Sequence, residues 1–319
     1  MRILVTRRWP EAVEKALAAR FDVVLNGADK PLNGAELAAA MGAFDVLCPT
    51  VSDKIDAAVI AGGDRVRLIA NYGVGFDHID LGAAKARGIA VTNTPGVLTD
   101  ATADLALTLL LMAARRAGEG ERELRSGQWS GWRPTHLVGS ALKGKVLGLV
   151  GFGRIGVATA RRAHHGFGMR IAYYGRRPCD DAVAAELGAV FYPDLNDLLH
   201  IADVVSLHAP GGAETANMID AAALRAMKPG STLINTARGS LVDHAALAEA
   251  LRSGHLASAG LDVYPAEPQV PAELLGLENV VLLPHLGSAT CETREAMGFC
   301  AMANVEAFAE GADLPNRLP

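Results

Sequence analysis

Short apolar runs alternate with amphipathic stretches along most of this chain. Runs at 3–6, 23–25, 46–48, 68–71 and 90–92 have strand length, and helical spacing at 12–19 and 35–40 fits between them. That alternation predicts parallel strands joined by helical crossovers. One long helix is expected over 101–125, with Leu105, Leu109 and Met112 on one face. Its acidic start (Asp100, Asp104) and basic later part (Arg115, Arg116) suit the helix dipole.

A second series begins at Val146, with strands expected at 146–150, 170–174, 204–207, 232–235, 258–261 and 280–282. Helices are expected between most of them, including 155–163 and 244–252, and a final helix over 291–309. The segment 126–142, with Trp129, Trp132 and Pro134, is the longest irregular stretch, and loops of that length are often functional. The two series imply two α/β domains, with the last helix able to return to the first. No internal repeat, low-complexity tract or flexible linker interrupts them.

Composition narrows the partners. The chain has 319 residues, half of them apolar, which suits about two domains with sizeable cores. Its net charge of -5 gives no attraction to nucleic acid or to an anionic membrane. The longest apolar stretch, 105–114, is too short to span a bilayer, and the N-terminus has no secretory apolar core. Cys48, Cys179, Cys291 and Cys300 form no C-x-x-C pair and no metal spacing. They read as scattered thiols of a reducing cytoplasm, with no metal site expected.

The most specific local signal is Gly151-Phe-Gly153-Arg154-Ile155-Gly156, directly after the apolar run 146–150. In a strand–turn–helix, Gly151 allows the tight turn, Gly153 lets a pyrophosphate approach the backbone, and Gly156 lets the helix pack closely. The following helix offers free N–H groups and the positive end of its dipole. A dinucleotide site is therefore expected. About 20 residues past the first glycine, an NAD site usually carries an acidic residue for the ribose hydroxyls. Here the chain reads Gly175-Arg176-Arg177-Pro178, with no carboxylate before Asp180. Two guanidiniums suit a 2′-phosphate, which favours NADP(H) and leaves NAD(H) admissible.

Three polar residues follow expected strands of the second series: Arg238, Glu267 and His285. Ligand clefts of α/β proteins form at such strand ends. A nicotinamide supplies hydride but not the accompanying proton, and a histidine can supply that near neutral pH. A neighbouring carboxylate would favour the imidazolium form. An arginine can grip a substrate carboxylate through two hydrogen bonds. His208, also at a strand end, could touch the cofactor, but a packed or solvated role is expected.

The residues Asn-Tyr-Gly73-Val74-Gly75-Phe-Asp77, Asn93-Thr-Pro-Gly-Val-Leu-Thr, the glycine turn, Asn235-Thr-Ala-Arg238-Gly, Gly260-Leu-Asp262-Val-Tyr-Pro-Ala-Glu267-Pro and Pro284-His285-Leu-Gly287-Ser-Ala-Thr occur in one order. With them the chain resembles the D-isomer-specific 2-hydroxyacid dehydrogenases over essentially its whole length. Within that family, the stretch from Gln128-Trp-Ser-Gly-Trp132 to the glycine turn, with the arginine pair, resembles the glyoxylate/hydroxypyruvate reductases. Thr102-Ala-Asp104 departs slightly, since many relatives have Glu after the Ala.

The resemblance implies two Rossmann-like domains with parallel sheets, a cofactor domain (100–287) inserted into a discontinuous substrate domain (1–99 and 288–319). It implies that Arg238 binds the substrate carboxylate and reacting oxygen, that His285 donates the proton, and that Glu267 holds its imidazole. The backbone at Val74 and Gly75 would also bind the carboxylate. Thr102, Ala237, Arg238, His285 and Gly287 would contact the cofactor, Asp262 would lie near its nicotinamide carboxamide, and Arg154 and Ile155 at its pyrophosphate. Arg176 and Arg177, after Gly175, would lie at the 2′-phosphate, and Ala209 and Pro210 along the adenosine. The family further implies a homodimer formed through the long helix and the Trp132 loop, and a cleft that closes on a small 2-oxoacid. The expected activity is an NADPH-preferring reduction of glyoxylate and hydroxypyruvate to D-2-hydroxyacids.

Alternatives are a phosphoglycerate- or phosphonate-type member, or a nucleotide-sensing corepressor-like binding protein. The long phosphoglycerate form carries an extra C-terminal region, and formate dehydrogenases place Gln before the histidine, where this chain has Pro284. The short termini argue against a corepressor.

Overall fold

The computed structural model describes residues 1–319 and divides into two compact units, Met1–Leu98 with Ser288–Pro319, and Thr99–Gly287. Both are α/β, and both sheets are wholly parallel.

In the first unit, β1 (Arg2–Val5), β2 (Asp22–Leu25), β3 (Val46–Cys48), β4 (Leu68–Ala70) and β5 (Ala90–Thr92) form a sheet ordered β2-β1-β3-β4-β5. β1, β3 and β4 are almost entirely buried, as apolar strands covered on both faces must be. The last helix, Cys291–Glu310, returns to this unit and packs on β4 and on helix Glu11–Arg20. Gly298 makes that approach possible, because a Cβ there would lie 2.6 Å from a Val13 methyl. Met297, Ala301 and Val305 join Ile3, Val5, Val13, Leu17 and Leu68 in one core.

In the second unit, β6 (Val146–Val150), β7 (Arg170–Tyr174), β8 (Val190–Tyr192), β9 (Val204–Leu207), β10 (Ser231–Asn235), β11 (Leu256–Leu261) and β12 (Val280–Leu282) give the order β12-β11-β10-β9-β6-β7-β8. Chain order reverses between β6 and β9, the switch point where doubly wound sheets open a ligand crevice. Apolar clusters cover both faces, so the strands are held by burial on two sides. β8, a half-exposed edge strand, is too short and too weakly patterned to stand out in the sequence.

The single helix expected over 101–125 is two helices, Thr99–Ala114 and Ala117–Arg125. The reason is a competing hydrogen bond. The Ser140 N–H takes the Ala114 carbonyl at 2.8 Å, and Gly139 comes so close that a Cβ would sit 2.2 Å from that oxygen. The helical ladder ends there, and Arg116 turns left-handed at φ 53°. The helix expected over 155–163 is α-helical over Arg154–Arg161 and then widens into a π-turn, Arg162–Gly166. Asp104, the small departure noted above, pairs with Arg162 of that turn, as does Asp100.

Candidate active site

All the strands of the second unit run the same way, so their carboxyl ends share one edge. β6 delivers Gly151 there, with φ +94°, a conformation that favours glycine. A Cβ on Gly151 would lie 2.7 Å from the backbone of His208 and Ala209, which follow β9. Gly156 has the same constraint, since a Cβ would lie 2.4 Å from the Gly151 carbonyl oxygen. Gly153 differs: nothing lies within 4 Å of the position its Cβ would take. The turn is thus tight underneath and open above. Gly153 begins helix Arg154–Arg161 without any side-chain cap, so the amides at Arg154 and Ile155 remain for an anion. These features fit the pyrophosphate of a dinucleotide.

β7 ends at Tyr174, whose carbonyl accepts from the Gly151 N–H at 2.9 Å. Gly175, Arg176, Arg177 and Pro178 follow, with both arginine side chains exposed. At the end of β9, Ala209 is half-buried and Pro210 exposed beside the glycine turn. Burial pushes the His208 imidazole down to about 4, so it is neutral near pH 7, and its Nε2 pairs with Ser206 Oγ at 2.9 Å. Of the packed and solvated roles expected for it, His208 takes the packed one.

The strands on the other side of the switch carry the charged residues. Asn235, fully buried at the end of β10, accepts the Ala237 N–H at 3.0 Å and donates to the Arg238 carbonyl at 2.8 Å. That side chain shapes the turn that presents the half-buried Arg238. Gly239 follows with no space for a side chain: a Cβ would lie 2.0 Å from the Tyr264 carbonyl carbon. The Arg238 turn and the 264–267 turn are therefore packed backbone to backbone.

From that second turn, Glu267 accepts the Tyr264 N–H at 3.0 Å through Oε1 and meets His285 Nδ1 at 2.7 Å through Oε2. Burial alone would raise the Glu267 carboxyl. The His285 hydrogen bond and charge, the Tyr264 N–H and the Arg238 charge outweigh it and hold the group below its ordinary value. Glu267 is thus a carboxylate that can only accept, so His285 Nδ1 carries the shared proton and Nε2 is left for a substrate.

His285 has φ +56°, unusual for a residue with a side chain. Its surroundings hold it there. The His285 N–H donates to the Asp262 carbonyl at 2.9 Å, and the Asp262 carboxylate accepts from Leu286 N at 2.7 Å and Gly287 N at 2.8 Å. The Gly287 carbonyl accepts the Thr102 hydroxyl at 3.0 Å. Burial raises the Asp262 carboxyl against these two amides. Thr102 and Asp262, expected beside a cofactor, are seen here bracing the histidine loop.

In the first unit, Val74 and Gly75 follow β4. Asn71 donates to the Gly73 and Gly75 carbonyls at 3.1 and 2.9 Å, and Asn93 donates to the Val74 carbonyl at 2.8 Å. The carbonyls are occupied and the amides of Val74 and Gly75 have no partner in the chain. Asn71, Asn93 and Asn235 lay inside the sequence motifs without an assigned role. Their buried amides are the only signal of bracing, and burial is a property of the fold.

The structure contains no group of side chains suited to a metal ion, and no helix is long and apolar enough to cross a membrane. The profile of the family "D-isomer specific 2-hydroxyacid dehydrogenase, NAD binding domain" matches residues 107–287. A glyoxylate reductase of Thermococcus litoralis is 46% identical over 99% of this chain and 96% of its own length. A solved protein of Thermus thermophilus superposes with a TM-score of 0.91 at 48% identity, covering 100% of both chains. The NADPH-dependent glyoxylate/hydroxypyruvate reductase of Sinorhizobium meliloti, solved with NADP and malonate, gives 0.88 at 37% identity over 99% of this chain and 96% of that one. The chain belongs to the D-isomer-specific 2-hydroxyacid dehydrogenase family and is an NAD(P)-dependent oxidoreductase.

Proposed function

We propose that this protein is an NADPH-preferring reductase of small 2-oxoacids, glyoxylate and hydroxypyruvate first, giving D-2-hydroxyacids. The observation that carries the reaction is the Glu267–His285 pair, set on the same sheet edge as the open glycine turn. When bound, a nicotinamide supplies the hydride. His285 holds a proton at Nε2 and gives it to the substrate's carbonyl oxygen, while Glu267 stabilises the imidazolium before transfer. Arg238 binds the substrate carboxylate and polarises the carbonyl. The free amides at Val74 and Gly75 suit a carboxylate as well. Gly151, Gly153, Arg154, Ile155 and Gly156 hold the pyrophosphate, Ala209 and Pro210 line the adenosine, and Ala237 and Gly287 lie at the nicotinamide end.

NADPH preference rests on Arg176 and Arg177, two exposed guanidiniums after β7 with no carboxylate between them and the strand. The relatives named for glyoxylate and hydroxypyruvate support the substrate class. Initial rates for a panel of 2-oxoacids, each with NADPH and NADH, test the proposal. Highest kcat/KM for glyoxylate or hydroxypyruvate with NADPH agrees with it; preference for NADH or for bulky oxoacids rejects it.

The same reading includes a homodimer. Trp132 is 81% exposed, and Leu124, Trp129 and Val138 nearby are also more than half exposed, an apolar surface that a second copy would cover. Sedimentation of the purified chain as a monomer would exclude this. The four free thiols support a cytoplasmic setting, which fractionation of the source cells checks directly.

A further inference from the structure

The loop that carries Arg176 and Arg177 leaves β7 at Tyr174 and ends where Asp180 caps the helix Asp181–Leu187. Its amide tether to the core comes from within the strand. Tyr173, 2% exposed, points its ring into the unit, and its hydroxyl accepts the Cys179 N–H at 2.9 Å. The same hydroxyl donates to Cys179 Sγ at 3.2 Å, and the thiol in turn reaches the Asp180 carbonyl at 3.4 Å. The bond from residue 173 to residue 179 closes the loop around the two arginines.

The ring itself is clamped. Phe152, the residue between Gly151 and Gly153, stacks on Tyr173 with centroids 4.1 Å apart and planes 17° apart. Phe191 of β8 lies against it at 5.4 Å. One side chain therefore joins the glycine turn, through a ring face, to the end of the arginine loop, through a hydroxyl. Stacking fixes where the hydroxyl lies, and the hydroxyl fixes where the loop ends.

We infer that Tyr173 is a positioning residue for cofactor choice: its hydroxyl sets the arginine loop against the glycine turn, so that a 2′-phosphate is recognised at a fixed distance from the pyrophosphate. This rests on the proposed assignment of Arg176 and Arg177 to the 2′-phosphate. A preorganised loop loses less freedom on binding than a loose one, and the gain falls on the group the loop contacts. NADH, which lacks that group, gains little from it.

The test is the ratio of NADH to NADPH dissociation constants, measured by titration of wild type, Tyr173→Phe, Cys179→Ala and the double variant Arg176→Ala/Arg177→Ala. Tyr173→Phe keeps the ring stack and removes only the hydroxyl. It is expected to lower the ratio about threefold, within the scale of one lost hydrogen bond and less than the loss in the double arginine variant. In the cofactor-free protein, tryptic cleavage at Arg176–Arg177 is expected to speed up several-fold. Cys179→Ala keeps the N–H donor and is expected to keep the ratio. Equal weakening of both cofactors in Tyr173→Phe, or an unchanged ratio while the arginine variant loses it, overturns the role of Tyr173 alone. An equal loss in Cys179→Ala overturns the assignment to the backbone tether. An unchanged ratio in the arginine variant overturns the 2′-phosphate assignment itself.

Discussion

Two loops at one sheet edge are built in opposite ways. The loop after β12 holds His285 at φ +56°, and almost every polar group around it is committed: His285 and Leu286 to Asp262, Gly287 to Asp262 and Thr102, the imidazole to Glu267. The loop after β7 carries two exposed arginines and is fastened near its end by one tyrosine hydroxyl. The difference matches the task proposed for each. Proton transfer needs an atom placed within a few tenths of an ångström, so its support is redundant. Recognition of a phosphate by exposed guanidiniums needs the base of the loop in place, which one tether supplies, while the two flexible forks close the last distance to the anion.

The comparison can be broken by removing, in turn, the charged residues proposed to work with the His285 loop and those carried by the loop after β7. Arg238→Ala is expected to lower kcat/KM for a 2-oxoacid about 10³-fold, since two charge-assisted bonds to a carboxylate are lost. Steady-state kinetics measures this, and a loss confined to one cofactor would move Arg238 out of the substrate site. Glu267→Gln should lower kcat about 10- to 100-fold with either cofactor, because the imidazolium loses its charged acceptor. Its stability signature has a definite sign. The folded-state value of Glu267 lies below the unfolded one, so its contribution is complete above the ordinary value of 4.5 and is lost as pH falls through the folded value. The difference in melting temperature between wild type and Glu267→Gln should therefore shrink on acidification below 4.5; a difference that grows would reverse the assignment. The smallest effect belongs to the looser loop. Arg176→Ala/Arg177→Ala should shift the NADPH-to-NADH ratio of kcat/KM by about tenfold, with kcat at saturating NADPH little changed. A fall in kcat as large as that of Glu267→Gln would erase the contrast between the loops.

The sequence made the strands around the site legible because they are apolar, short and followed by distinctive residues. The runs 146–150, 170–174 and 204–207 match β6, β7 and β9, and the glycine turn falls where β6 ends. What it hid were contacts made across long separations. The helix break at Arg116 depends on Gly139 and Ser140, which no local pattern connects to Ala114. Asp262 reads as a strand-end acid, yet its carboxylate braces amides 24 and 25 residues away. Asn235 and Tyr173 act through buried polar atoms, and a polar residue in an apolar run does not announce what it will meet. Periodicity reports which face is buried, whereas bracing depends on the partner, and the partner is set by topology.

The central claim is that His285, in the redundantly held loop, performs the proton transfer and that its side chain contributes little to holding the cofactor. The most direct measurement is single-turnover oxidation of bound NADPH by glyoxylate in His285→Ala, alongside the NADPH dissociation constant of the same variant. The account predicts an oxidation rate about 10² to 10⁴ below wild type with the dissociation constant nearly unchanged. A wild-type rate, or a slow rate explained by lost NADPH binding, would contradict it.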